Sequence, residues 1–170
     1  GDNGCGGDIW LMRNKKYPDM LAEESVSIRA VRRVYSDLSG QSSASLSPKD
    51  IYDIAEGIKE GDSHAAIASF NELGIMAGAA IASVLNVVDG LVVIGGGVAG
   101  ASKYILPALI TELRAQLTTF SGNKFPCVSM QVYNGEDESE RARFLSLSDS
   151  QVVIPGTHLT TTYHQLKQTL

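Results

Sequence analysis

LVVIGGGVAG, residues 91–100, decides how the chain is read. Four apolar residues run into three glycines, and Gly100 follows after Val98 and Ala99. A short apolar run closed by glycine predicts a buried strand over residues 91–94. Gly95, Gly97 and Gly100 behind it satisfy G-x-G-x-x-G, the dinucleotide fingerprint. An NAD site also needs an Asp or Glu about 20 residues further on, to bind the ribose hydroxyls. That distance from Gly97 reaches Leu117, Thr118, Thr119 and Phe120, and the acids after the next predicted strand are Glu136 and Asp137. The fingerprint also normally opens a domain, whereas here two or three predicted helices precede it. Two readings remain beside the dinucleotide one. The glycines give only a tight strand-to-helix turn, or their bare backbone lets a nucleotide lie against the bend. In the last case the N–H groups of the helix starting near Ala101 face the ligand.

Composition narrows the classes. A chain of 170 residues supports one domain with a proper core, burying roughly 70% of its unfolded surface. Hydrophobic content of 44% and charged content of 19% are ordinary for a globular protein. A net charge of -5 argues against a broad nucleic-acid face, which needs clustered Lys and Arg. The basic group Arg29, Arg32 and Arg33 reads as the solvated face of a helix. Cys5 and Cys127 lie far apart without a C-x-x-C partner, which fits reduced thiols in a cytoplasm. Cys5 has no basic neighbour to activate it and is expected to pack in its glycine loop. No apolar run is read as approaching the ~18 residues of a bilayer span, and no signal peptide is seen. There is no G-x-S-x-G, and His64 lies in a polar context; His158 and His164, six apart on a possible strand, are a weak metal candidate. The opening GDNGCGGD reads as the inside of a folded unit, so a fragment of a longer protein is expected.

The remaining pattern alternates helices and strands. Val26, Ala30, Val31 and Val34 predict a helix over 22–38, with Ser25 or Ser27 as its cap. Ser47 followed by Pro48 predicts a helix start and a helix over 48–59. A long helix is expected over 63–85, with Ile67, Phe70, Gly74, Ala77, Gly78, Ile81 and Leu85 inward. Its Gly74 and Gly78 predict close helix packing. Helices over 102–118 and 138–145, strands near 127–133 and 151–155, and a loose edge strand in the tail complete the reading. The order is α/β with room for a partly parallel sheet, the helix over 102–118 making one right-handed crossover.

The segment NVVDGLVVIGGGVAGASKYILPAL, with the Gly-Ala-Ala-Ile-Ala-Ser-Val run before it, resembles the ROK family of repressors, open reading frames and sugar kinases. Upstream, NGCGGDIW stands where that family has A-G-E-I-G-H, and LAEESVS where it has C-L-E-x-x-x-S. The resemblance spans roughly residues 4–118 and is strongest over 74–107; the tail looks like an extension found in a subset of the family. It implies an actin-like ATPase (ribonuclease H-like) lobe, a mixed sheet flanked by helices, with residues 1–170 making most of the C-terminal lobe of a two-lobe fold. It also implies that Gly95, Gly96 and Gly97 take the adenosine part of Mg-ATP.

Two carboxylates carry over toward a sugar. Asp8 falls on the Glu of E-I-G-H, and Glu23 on the Glu of C-L-E, with Glu24 as an alternative. A carboxylate suits a sugar because its two oxygens accept hydroxyl donors. A plainer reading makes Asp8 a loop residue and Glu23 a helix-start acid favoured by the dipole. The family's zinc motif has no counterpart: RNKKYPDMLAEE contains no Cys, Leu11 replaces the motif His, and Trp10 a glycine, so no zinc is expected. The family's catalytic Asp and phosphate loop lie in the other lobe, so this chain is expected to be inert alone. A kinase acting on a hexose or N-acetylhexosamine is the first expectation. A sugar-sensing, dimerising repressor domain is the second, with DNA binding only if a helix-turn-helix precedes it. A scaffold that keeps only the fold is the third. A cytoplasmic homodimer that binds a small sugar and no membrane is expected.

Overall fold

The computed structural model describes residues 7–146, 149–164 and 168–169. Five α-helices are present among them: α1 (Ile28–Ser39), α2 (Pro48–Ala55), α3 (Ser63–Leu85), α4 (Ser102–Leu113) and α5 (Glu138–Leu145). Short 3₁₀ turns cover Ile9–Leu11, Ala22–Glu24 and Gly97–Ala101, the last running straight into α4. The strands are β1 (Gln116–Thr118), β2 (Lys124–Pro126), β3 (Gln131–Val132), β4 (Asp149–Val153), β5 (Thr160–His164) and β6 (Gln168–Thr169).

The long helix α3 is the axis. Asp62 caps it by accepting from the Ala65 amide at 3.0 Å. Its small residues let α4 approach until backbones touch. A Cβ on Gly74 would stand 2.4 Å from the Ile105 carbonyl oxygen, and one on Gly78 2.8 Å from that of Leu109. The glycine spacing in the sequence is therefore a helix-packing device. By length and composition α3 also meets the measure of a bilayer span, with mean hydropathy 1.4 over its best window. This departs from the expectation that no run comes near it. Half of that window is buried inside the chain, where α1, α2 and α4 pack against the helix.

Two apolar clusters flank this axis. One joins Val31 and Tyr35 of α1, Ile51 and Ile54 of α2, Phe70 and Leu73 of α3, and Ile105 of α4. The other joins Ala82 and Leu85 of α3 to Leu109, Ile110 and Leu113 of α4, with Val128, Met130 and Val132 laid over them. Asn86 fastens that overlay, donating to the Cys127 carbonyl at 2.9 Å and accepting from the Ser129 amide at 3.3 Å.

Helix boundaries moved where caps intervene. The expected helix over 22–38 is a 3₁₀ turn followed by α1, because Ser27, in extended backbone, caps the Ala30 amide. α2 carries the expected Ser-Pro start, reinforced by Asp50, whose carboxylate accepts from the Ser47 amide at 2.7 Å. It stops at Ala55 rather than residue 59, where Gly57 turns the chain in the left-handed region at φ +73°.

The sheet differs most from expectation. The described strands form three separate two-stranded sheets: β1–β2 antiparallel, β3–β6 parallel and β4–β5 antiparallel. Residues 115–118 leave the expected helix for the β1–β2 hairpin, which closes through Gly122 at φ +87°. Within the tail, Thr160–His164 pairs along its length as β5, with Val153 opposite Thr160 and Asp149 opposite His164. Residues 91–94 belong to no helix or strand and form no backbone hydrogen bond to a described residue, and Val93 is 89% exposed. A strand exists only with a neighbour, so neither the expected strand there nor the crossover through α4 forms. Instead of one mixed sheet flanked by helices, the chain combines helix-on-helix packing with small sheets.

Gly74→Ala tests the axis directly. Alanine gains about 1 kcal/mol in helix propensity, yet its methyl meets a backbone oxygen that no rotamer change can move. The variant is expected to lose about 2 kcal/mol or more in urea unfolding, and a neutral result would contradict the close approach.

Candidate functional site

The glycine bend lies at the entrance to α4. Gly96 takes φ +86°, the left-handed region, so this position requires glycine by conformation. Gly95 and Gly97 are free of that constraint and serve differently. A Cβ built on any of Gly95, Gly96, Gly97 or Gly100 meets nothing within 4 Å. The bend thus presents bare, open main chain, and among the described residues no side chain comes within 4 Å of a Cβ built there.

Two clefts meet this bend. The larger, about 370 Å³, is roofed by residues 93–95 and floored by Leu73, Ala77 and Ile81 of α3 with Ile105 and Leu109 of α4. Its far wall is Trp10, Glu23 and Ser27. The floor and roof are apolar, and the Glu23 carboxylate stands at the rim with 39% of its side chain exposed. The structure therefore brings Glu23 and Gly95 into one cavity. Glu23 also lies 3.5 Å from the Arg29 guanidinium, whereas Glu24 points out of the cleft and pairs with that guanidinium at 2.9 Å. Of the two acids named from the sequence, Glu23 lines this cavity and Glu24 does not. Asp8 does not line it: the residue is exposed at the start of the Ile9–Leu11 turn and makes no side-chain cap bond. Trp10, 45% exposed, occupies the mouth beside it.

The smaller cleft, about 180 Å³, lies on the other flank of the bend between Gly97, Gly100 and the first turn of α2. Pro48, Lys49, Tyr52 and Phe70 complete it. Gly96 lines neither cleft but joins the two. The Lys49 ammonium lies 5.6 Å from the centre of the Tyr52 ring. Tyr52, Phe70 and Tyr104 form an aromatic cluster with ring centres 6.2 to 6.5 Å apart. The sequence reading assigned no site role to Lys49, Tyr52 or Trp10, the last noted only as standing where the family has a glycine. Each is brought to the bend only by the packing of α2 and the Ile9–Leu11 turn.

A clamp holds α2 against α4. The Glu56 carboxylate accepts from Lys103 at 2.7 Å and from the Tyr104 hydroxyl at 2.8 Å. Lys103, then Tyr104, hold Glu56 below the usual glutamate range, while Lys103 is raised by Glu56. Burial, then the hydrogen bond to Glu56, pushes Tyr104 up. Asp50 is held far below the carboxylate range by Lys59, 2.8 Å away, and by the Ser47 hydroxyl and amide.

A third cavity, about 450 Å³, lies across residues 92–94 from the first, over Leu106, Ile110 and Leu113 of α4. The other candidates disperse. His158 precedes β5 and His164 is its last residue, so the two do not lie on one strand as expected. Among the described residues no three His, Cys, Asp or Glu side chains are grouped to hold a metal ion. Cys5 lies outside the described residues, and Cys127 is a half-buried free thiol. The arginines expected as a solvated face are partly engaged: Arg29 with Glu23 and Glu24, Arg33 with Asp37 at 3.4 Å.

No protein-family model and no curated protein matches the sequence. A crystal structure does: a glucokinase from Parabacteroides distasonis ATCC 8503, 47% identical over 99% of this chain, with a TM-score of 0.83. The chain spans less than half of that glucokinase, 45% of its length. Helices and small sheets arranged as they are here are thus similar to part of a glucokinase structure.

Because Glu56 titrates lower in the folded chain than unfolded, its clamp contributes fully above the ordinary value of 4.5 and is lost as pH falls through the folded value. Urea midpoints at about pH 6 and about pH 3.5 check this. Glu56→Gln is expected to lower the midpoint at the higher pH and to shrink the difference between the two. An undiminished difference would remove Glu56 from the acid response.

Proposed function

We propose that these residues form the C-terminal lobe of an actin-like, ROK-type sugar kinase. The Glu23 cleft holds a hexose and the glycine bend holds the nucleoside of ATP. One observation carries the reading: Glu23 and Gly95 share a cavity in a chain 47% identical to a glucokinase. Glucose is the first substrate to test, because that is what the similar protein is named for.

The chemistry of the cleft suits a sugar. A carboxylate at an apolar rim accepts two hydroxyls, and the Trp10 indole offers an aromatic face to the C–H side of a pyranose. The bare main chain of Gly95, Gly96 and Gly97 fits a planar base and ribose, with Tyr52 and Lys49 flanking the smaller cleft. ATP supplies the phosphoryl group, and positioning with charge stabilisation is what such a transfer requires. The groups that hold magnesium, grip the phosphates and take the hydroxyl proton belong to the other lobe, so this lobe alone transfers nothing. Residues 91–94 then find their strand partners in the remainder of the polypeptide. The kinase reading stands ahead of a sugar-sensing repressor because the space facing the glycines is clear for a nucleotide.

The test is ADP release by the full-length protein given glucose and Mg-ATP. Glu23→Gln is expected to lower kcat/KM for glucose about tenfold or more, the cost of a charge-assisted hydrogen bond, with Glu24→Gln within about threefold of wild type. Gly97→Val is expected to raise KM for ATP and leave KM for glucose unchanged. Absence of sugar-dependent ADP release across hexoses and N-acetylhexosamines would contradict the proposal. A sugar-induced thermal shift without ADP release would favour sensing.

A further inference from the structure

The turn that carries Glu23 is held at both ends by one buried side chain. Asn14 is 1% exposed, and its amide uses its full hydrogen-bonding capacity. Its Nδ2 donates to the Leu21 carbonyl at 3.1 Å and to the Ser25 hydroxyl at 2.8 Å. Its Oδ1 accepts from the Lys16 and Tyr17 amides, each at 3.0 Å. Leu21 and Ser25 are the N-cap and C-cap of the 3₁₀ turn Ala22–Glu24, and Ser25 is itself 1% exposed.

A three-residue 3₁₀ turn has little rigidity of its own, and Glu23 sits at its centre. The strand-like bonds beside Asn14, from its amide to the Met20 carbonyl at 3.0 Å and from the Ala22 amide to the Met12 carbonyl at 2.8 Å, close the loop without touching the turn's far end. Outside the loop, Lys16 reaches Glu72 of α3 at 2.7 Å and Lys15 pairs with Glu112 of α4. These exposed pairs set the loop on the helices, but exposed pairs are weak. The buried Asn14 is the side chain that ties both caps, beside the turn's own main-chain bonds from the Ser25 and Val26 amides to the Ala22 carbonyl at 3.0 and 3.1 Å.

We propose that Asn14 is a positioning residue for sugar binding: it orients the Glu23 carboxylate at the apolar cleft by tying both caps of the Ala22–Glu24 turn. The proposal rests on the reading of Glu23 as a sugar contact, and its test separates the two. Asn14→Asp keeps an acceptor for the Lys16 and Tyr17 amides but turns an oxygen toward the Leu21 carbonyl. Ser25→Ala removes only the C-cap tie and serves if Asn14→Asp does not fold.

In the full-length protein, Asn14→Asp is expected to raise KM for glucose about tenfold while KM for ATP and kcat stay within about twofold, with Ser25→Ala shifting the same way by less. The amides of Glu24 and Ser25 are expected to exchange about tenfold faster, with those of α4 unchanged. Turn amides that exchange as in wild type, or KM values for ATP and glucose that rise together, would overturn the assignment. If wild type takes no glucose, the sugar reading fails, and exchange at Glu24 and Ser25 alone still decides whether Asn14 holds the turn.

Discussion

The contact on which the rest depends is main chain against main chain, between α3 and α4. With Gly74 and Gly78 facing the Ile105 and Leu109 carbonyls, the two helices lie closer than any side chain would permit. That approach fixes where α4 begins, and so where the Gly97–Ala101 turn and the glycine bend stand. It also makes Leu73, Ala77, Ile105 and Leu109 a continuous floor beneath the bend. Glu23, brought in from the other side, meets a surface the helix pair has already built.

The second constraint is an unmet one. Residues 91–94 carry four apolar side chains outside any helix or strand, with Leu91 64% and Val93 89% exposed. Apolar cavities of about 370 and 450 Å³ lie on their two sides, both floored by α4. An unpaired apolar segment over a helical layer is the arrangement a sheet would complete. In the proposed kinase those strands come from the rest of the polypeptide, and their arrival would wall the sugar cleft on its open side.

Features set by neighbouring residues were legible in the sequence. Ser47 and Pro48 announced the start of α2; the bounds of α3 followed from its apolar spacing; and the spacing of Gly74 and Gly78 announced close helix packing. Features that depend on distant partners were not. The strand at 91–94 was read from its composition, but pairing is a property of two segments. The β1–β2 hairpin was hidden because Leu113, Arg114 and Ala115 continue a helical pattern until Gly122 turns the chain. Of the site residues expected from motif, Gly95 and Glu23 line one cavity, while Asp8 does not, although its neighbours Ile9 and Trp10 do. Trp10, Lys49 and Tyr52 left no signal, because each reaches the bend through tertiary packing. Asn14 was hidden in the stretch searched for zinc ligands, where its role is hydrogen bonding and has no motif.

Trp10 offers the most direct measurement. It is the one tryptophan in these 170 residues and stands at the mouth of the Glu23 cleft. In the full-length protein, the fluorescence difference between wild type and Trp10→Phe isolates its signal during a glucose titration. The account predicts a saturable change in that signal, shifted to higher glucose by Glu23→Gln. Glucose binding that leaves the Trp10 signal flat would place the sugar elsewhere and contradict the shared cleft.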